Sequence, residues 1–149
     1  MDVLKDFAEL CSLLNEQGVE FLIVGGYAVG YHGAPRFTGD LDILIHPDVQ
    51  QVGKMLAALA RFGFPAQDVA PTYVLEQEKI IQLGRQPGQV HLMTTITGVG
   101  WDEAWASRQQ GLYGHVPVFF IGRQALIDNK RATGRTKDLA DVEALERRD

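Results

Sequence analysis

The chain has 149 residues, 46% hydrophobic and 22% charged, with a net charge of −5 at pH 7. That length reads as a single domain, residues 1–149, able to bury a core without a disulfide or metal staple. The acidic balance argues against broad duplex binding driven by phosphate-neutralising cations while leaving room for a local basic groove, and a lone cysteine excludes an internal disulfide or a cysteine-based zinc cage.

Val3, Leu4, Phe7, Leu10, Cys11 and Leu14 recur at helical spacing, so a first amphipathic helix is expected over 3–14. Asp2 would cap it and Gly18 stop it. Its acidic, amphipathic start is unlike a cationic signal peptide. No apolar run approaches the roughly 18 residues of a membrane span. A cytoplasmic protein with no membrane partner is the expectation. Cys11 falls in the apolar stripe and reads as a small buried hydrophobe.

Phe21-Leu22-Ile23-Val24 is a short continuous apolar run, hence a buried strand, ended by Gly25-Gly26. Tyr27 to Tyr31 reads as a short helix. Leu41 to Ile45 reads as a second strand closed by His46-Pro47. Asp48 then caps a helix whose expected core face is Val49, Val52, Leu56, Leu59 and Phe62. A looser stretch covers 63–72. Strands are expected near 79–83 and 90–95, either side of the turn sequence Arg85-Gln86-Pro87-Gly88. Trp101 and Trp105, four apart on a short helix, point to packing between elements. Val116 to Ile121 reads as a further strand, and two helices, 125–132 and 137–147, close the chain around Gly134. Helices and strands alternate, so the expected class is mixed α/β (α+β), one central mixed sheet flanked by helices with a helical C-terminus.

The chemistry concentrates between Phe21 and Ile45. Two glycines after a buried strand let the backbone approach a ligand closely, and free N–H groups at the start of the next helix suit an anion. Gly25-Gly26 therefore reads as a phosphate cradle. No Walker sequence occurs in the chain, so it is not a P-loop. Asp40 and Asp42 stand two apart at a strand start, with side chains on one face. Paired carboxylates with substrate phosphates make the ligand set that magnesium prefers, and phosphoryl chemistry needs such an ion to neutralise developing charge. A dinucleotide fold fits less well: the glycines do not space as G-x-G-x-x-G, and the acid opens its strand where a ribose-binding acid ends one.

Val24-Gly25-Gly26-Tyr27-Ala28-Val29 followed by Arg36-Phe37-Thr38-Gly39-Asp40-Leu41-Asp42-Ile43-Leu44 resembles the signature of minimal nucleotidyltransferases of the DNA polymerase β superfamily. The likeness is to small bacterial and archaeal members, including toxin-type proteins of abortive-infection systems. Asp128-Asn129-Lys130-Arg131-Ala132 and Arg135-Thr136-Lys137-Asp138-Leu139-Ala140-Asp141 look like a second pattern of that group. The resemblance implies the nucleotidyltransferase fold. It also implies that Gly25 and Gly26 hold a nucleoside triphosphate and that Asp40 and Asp42 ligate Mg2+ or Mn2+. Arg36 and Thr38 would shape the phosphate side. Lys130 and Lys137 would offer positive charge, oriented by Asp138 and Asp141. The alternative is that Lys137, Asp138 and Asp141 simply form i,i+3 and i,i+4 pairs on an exposed helix.

Catalytic members of the family carry a third carboxylate on a later strand, and His91 stands at the matching position here. An imidazole does not replace a carboxylate as a ligand for a hard cation. Three readings stay open. His91 acts as a general base, Glu76 or Glu78 supplies the acid from a shifted register, or the site binds nucleotide without efficient turnover. The implied activity is transfer of a nucleoside monophosphate from a triphosphate to a hydroxyl of RNA, a protein or a small molecule. The alternative is a weak or inactive nucleotide-binding or partner-binding module, such as half of a toxin–antitoxin pair. The chain's small size leaves room for a partner protein or a homo-oligomer to complete the cleft.

Overall fold

The computed structural model describes residues 3–34, 38–66, 68–85 and 88–147. The elements run α1 (Val3–Glu16), β1 (Phe21–Val24), α2 (Gly25–Tyr31), β2 (Leu41–Ile45), α3 (Val49–Phe62), α4 (Pro71–Gln77), β3 (Ile81–Arg85), β4 (Gly88–Met93), α5 (Trp101–Ala106), β5 (Gln109–Tyr113), β6 (Val116–Phe120), α6 (Arg123–Thr133) and α7 (Thr136–Glu146). The strands form one six-stranded mixed sheet in the order β3-β4-β2-β1-β6-β5. β1 pairs antiparallel with β2, while β2–β4 and β1–β6 are parallel. Antiparallel hairpins, β3–β4 and β5–β6, close the two edges.

The apolar runs explain the centre of the sheet. Every residue of β1 is buried, and in β2 only Asp42 is not. Leu22, Ile23, Leu41, Ile43 and Ile45 are fully buried; each such side chain contributes roughly 1.5–3 kcal/mol. α1 packs on α3 and β6, α2 on β1 and β2, and α6 on α7. Asp48 caps α3, its carboxylate accepting from Gln51 N–H at 3.1 Å. The expected cap at Asp2 lies outside the described residues.

Four local expectations need correction. Val49 is half exposed, because the first residue of α3 points away from the core stripe that Val52, Met55, Leu56 and Leu59 form. Part of the stretch read as loose is α4, opened by Pro71, whose fixed φ suits a first helical turn. The first hairpin strand starts at Ile81, two residues beyond the expected start. β5 was not expected, and is held by pairing to β6 across the Gly114-His115 turn. Among the described residues no helix is long and apolar enough to cross a membrane.

Cys11 is fully buried, and that burial pushes its thiol up to about 12. A thiol that neither ionises nor meets solvent is inert. Native protein is therefore expected to resist a thiol-labelling disulfide reagent, while protein unfolded in guanidinium chloride labels completely. Fast native labelling would contradict the packing of α1 against α3.

Candidate functional site

β1 ends at Val24 and α2 begins at once with Gly25, whose φ is +68°. A side chain is excluded there twice over. The backbone is left-handed, and a Cβ would stand 2.2 Å from Asp42 Oδ2. The antiparallel register places Val24 opposite Asp42, which brings the glycine turn over that carboxylate. Gly25→Ala is expected to cost about 1–2 kcal/mol for the backbone conformation alone, and to push the Asp42 carboxylate aside. Urea unfolding checks the first effect and a crystal structure of the variant the second.

The parallel register of β2 and β4 sets Asp42 directly beside His91. Asp42 Oδ1 and His91 Nδ1 are 2.8 Å apart, both side chains about a quarter exposed. His91 Nε2 lies 3.2 Å from Gln89 Oε1, an acceptor, so that contact is a hydrogen bond when Nε2 carries a proton and donates it. Gln89 also donates its backbone N–H to Asp40 Oδ1 at 3.1 Å. Asp40 is further steadied by Thr38, whose hydroxyl donates to the Asp40 carbonyl at 3.2 Å. Gln89 was missed in the sequence; the signal was its position two before His91, on the same strand face.

The other wall comes from the C-terminal helices. Lys130 is 6% exposed, and its Nζ lies 3.0 Å from both Asp138 Oδ1 and Asp141 Oδ2. Asp138 Oδ2 accepts from Thr133 Oγ1 at 2.6 Å and Arg135 Nε at 2.8 Å. Burial raises the Asp138 pKa, but the hydrogen bonds from Thr133, Lys130 and Arg135 and the Lys130 charge outweigh it, lowering the value to about 2. The alternative of pairs on an exposed helix does not describe this cluster: Lys130, Asp138 and Asp141 are buried. Lys137 is exposed on the cleft wall. α6 reaches the cleft because the Thr97-Gly98 turn lets it close in. Asn129 Nδ2 donates to the Thr97 carbonyl at 2.9 Å, and a Cβ on Gly98 would meet Ala132 at 2.4 Å.

These walls enclose one open cleft of about 680 Å³. Gly25, Gly26, Thr38, Asp40, Asp42 and His91 line one side, and Lys130, Thr133, Arg135, Lys137 and Asp138 the other. The fold thus brings together the predicted site residues except Asp141, which sits behind Lys130, and Arg36, which lies outside the described residues. Glu76 and Glu78 are exposed and absent from the cleft lining, so the shifted-register reading has no support in the geometry. Among the described residues no group of three or more His, Cys, Asp or Glu side chains is arranged to hold a metal ion. The donor chemistry nonetheless fits a hard divalent cation, with two carboxylates present and the remaining ligands left to phosphates and water.

This architecture is the nucleotidyltransferase fold. Neither a family model nor a curated protein matches the sequence. Among solved structures, the chain is similar to the antibiotic-resistance factor ANT(2'')-Ia in solution. The TM-score is 0.60 and the identity 13%, over 97% of this chain and 84% of that one. The crystal structure of ANT(2'')-Ia in complex with adenylyl-2''-tobramycin gives a TM-score of 0.58 and 13% identity, over 97% and 88%. An antigenic nucleotidyltransferase-like protein from Paracoccidioides brasiliensis gives 0.55 and 18%, over 97% and 76%. At such identities the likeness is one of fold.

Proposed function

We propose that the chain is a single-domain nucleotidyltransferase of the DNA polymerase β-like superfamily. In this reading it moves a nucleoside monophosphate from a nucleoside triphosphate to a hydroxyl acceptor, with Mg2+ or Mn2+. One observation carries the reading: a single cleft faces the Asp40 and Asp42 carboxylates, at the start of β2, with a cationic wall from α6, α7 and the turn between them. A metal-chelated polyphosphate is complementary to both walls at once. Asp40 and Asp42 would hold the cation, which supplies charge neutralisation at the transferring phosphate. Gly25 and Gly26 bring backbone N–H groups against the phosphates, Thr38 holds the Asp40 loop, and Lys137 adds positive charge.

His91 is the base in this reading. In the tautomer whose Nδ1–H donates to Asp42, the Nε2 lone pair, which Gln89 Oε1 as an acceptor leaves unbonded, takes the proton of the acceptor hydroxyl. The hydroxyl oxygen then bonds to the α-phosphorus, the bond to the bridging oxygen breaks, and pyrophosphate leaves. RNA, a protein side chain and a small molecule are all acceptors of the required kind.

The test is incubation with labelled nucleoside triphosphates and Mg2+ or Mn2+, with total RNA, cell lysate or small polyols as acceptor. Label transfer with stoichiometric pyrophosphate release is the expected result. Tight triphosphate binding with no pyrophosphate from any acceptor would instead make the chain a nucleotide-binding module.

A further inference from the structure

Lys130 and Arg135 both line the cleft, yet the fold leaves them in different states. Lys130 is buried between two carboxylates, each 3.0 Å from its Nζ. Its charge and most of its donors are already engaged. The Arg135 side chain is 76% exposed, and only its Nε is held, by Asp138 Oδ2 at 2.8 Å. Asp138 is itself fixed on its other bonds by Lys130 at 3.0 Å and Thr133 at 2.6 Å. The N–H groups on the two terminal guanidinium nitrogens have no partner among the described residues. They form the planar fork that matches phosphate oxygens bidentately.

We infer that Arg135 is a phosphate-binding arginine of the cleft, taking the pyrophosphate portion of the nucleotide, with Asp138 as its positioning residue and Lys130 as a structural cation. The inference rests on the proposed nucleotide reading. The division of the cleft argues for the pyrophosphate portion. The reacting phosphate belongs beside Asp40, Asp42 and His91, so the phosphates that leave fall toward the opposite, cationic wall. Holding an arginine by Nε alone restricts its swing while leaving the fork edge open, which Lys137, a point charge on an exposed stem, does not offer.

The experiment measures equilibrium binding of ATP, pyrophosphate and AMP, with Mg2+, to the wild type, Arg135→Ala, Arg135→Lys and Asp138→Asn. Arg135→Ala is expected to weaken ATP and pyrophosphate at least tenfold and to leave AMP within twofold. Arg135→Lys should fall between, having charge without the fork. Asp138→Asn should show the same selectivity, and combined with Arg135→Ala it should weaken pyrophosphate no further than Arg135→Ala alone. A purely structural Asp138 would weaken AMP to the same degree and overturn its positioning role. Wild-type protein that binds ATP while Arg135→Ala keeps that affinity overturns the arginine assignment alone. Wild-type protein that binds none of the three overturns the nucleotide reading and this inference with it.

Discussion

On the proposed function, Asp42→Asn is expected to lower nucleotidyl transfer by roughly 1,000-fold, the scale on which weakened hold of a charge-neutralising cation raises a phosphoryl-transfer barrier. Asp42 combines three relations in one side chain. It faces the cleft, it fixes His91 at 2.8 Å, and its Oδ2 occupies the space Gly25 leaves open. The asparagine keeps the shape but loses the charge, so the fold should survive, as circular dichroism would report. Pyrophosphate release under saturating triphosphate measures the rate. An Asp40→Ala, Asp42→Ala double variant that still transfers label at the wild-type rate would sink the assignment.

Lys130→Met is expected to be the most destabilising single change in the C-terminal half. It leaves Asp138 and Asp141, each 4% exposed, without their shared cation. Breaking a buried ion pair from one side costs about 3–5 kcal/mol, which for a chain of this length lowers Tm by roughly 10 °C. The same cluster sets an acid limit. Asp138 titrates at about 2 in the folded chain against an ordinary 3.8. A depressed carboxylate contributes stability above its unfolded value and loses it as pH falls through the folded one. Stability should therefore decline between about pH 4 and pH 2, and Asp138→Asn should flatten that limb in acid-dependent urea unfolding. An unchanged slope in the variant would contradict the cluster.

The parts legible in the sequence were those whose signal is local. Phe21 to Val24 and Leu41 to Ile45 announce themselves as unbroken apolar runs with glycine and proline stops, and both strands have the expected bounds. β5 is different. Gln109-Gln110-Gly111-Leu112-Tyr113 lacks that pattern because, at the sheet edge, most of its side chains meet solvent. It exists through pairing, which no window of residues displays. The same holds for the site. The glycines and aspartates were readable as a block, but that His91 lies against Asp42 follows from the parallel β2–β4 register, 49 residues apart. In the sequence Arg135 stood only as the opening residue of the Arg135–Asp141 block, with no role of its own. Its spacing of three before Asp138 was the available clue, and only the buried carboxylate makes it a held fork.

The two tryptophans of the chain are both in α5. Their rings stack at 5.1 Å and 20°, with His46 stacked on Trp101 at 4.7 Å and the Arg108 guanidinium 4.1 Å from the Trp105 ring. Rings held this close couple electronically, so the folded protein is expected to show an exciton couplet in its ultraviolet circular dichroism that either Trp→Phe change abolishes. Because His46 follows β2 directly and Trp105 also meets Phe119 of β6, that couplet is an optical gauge of whether the helix has docked on the sheet.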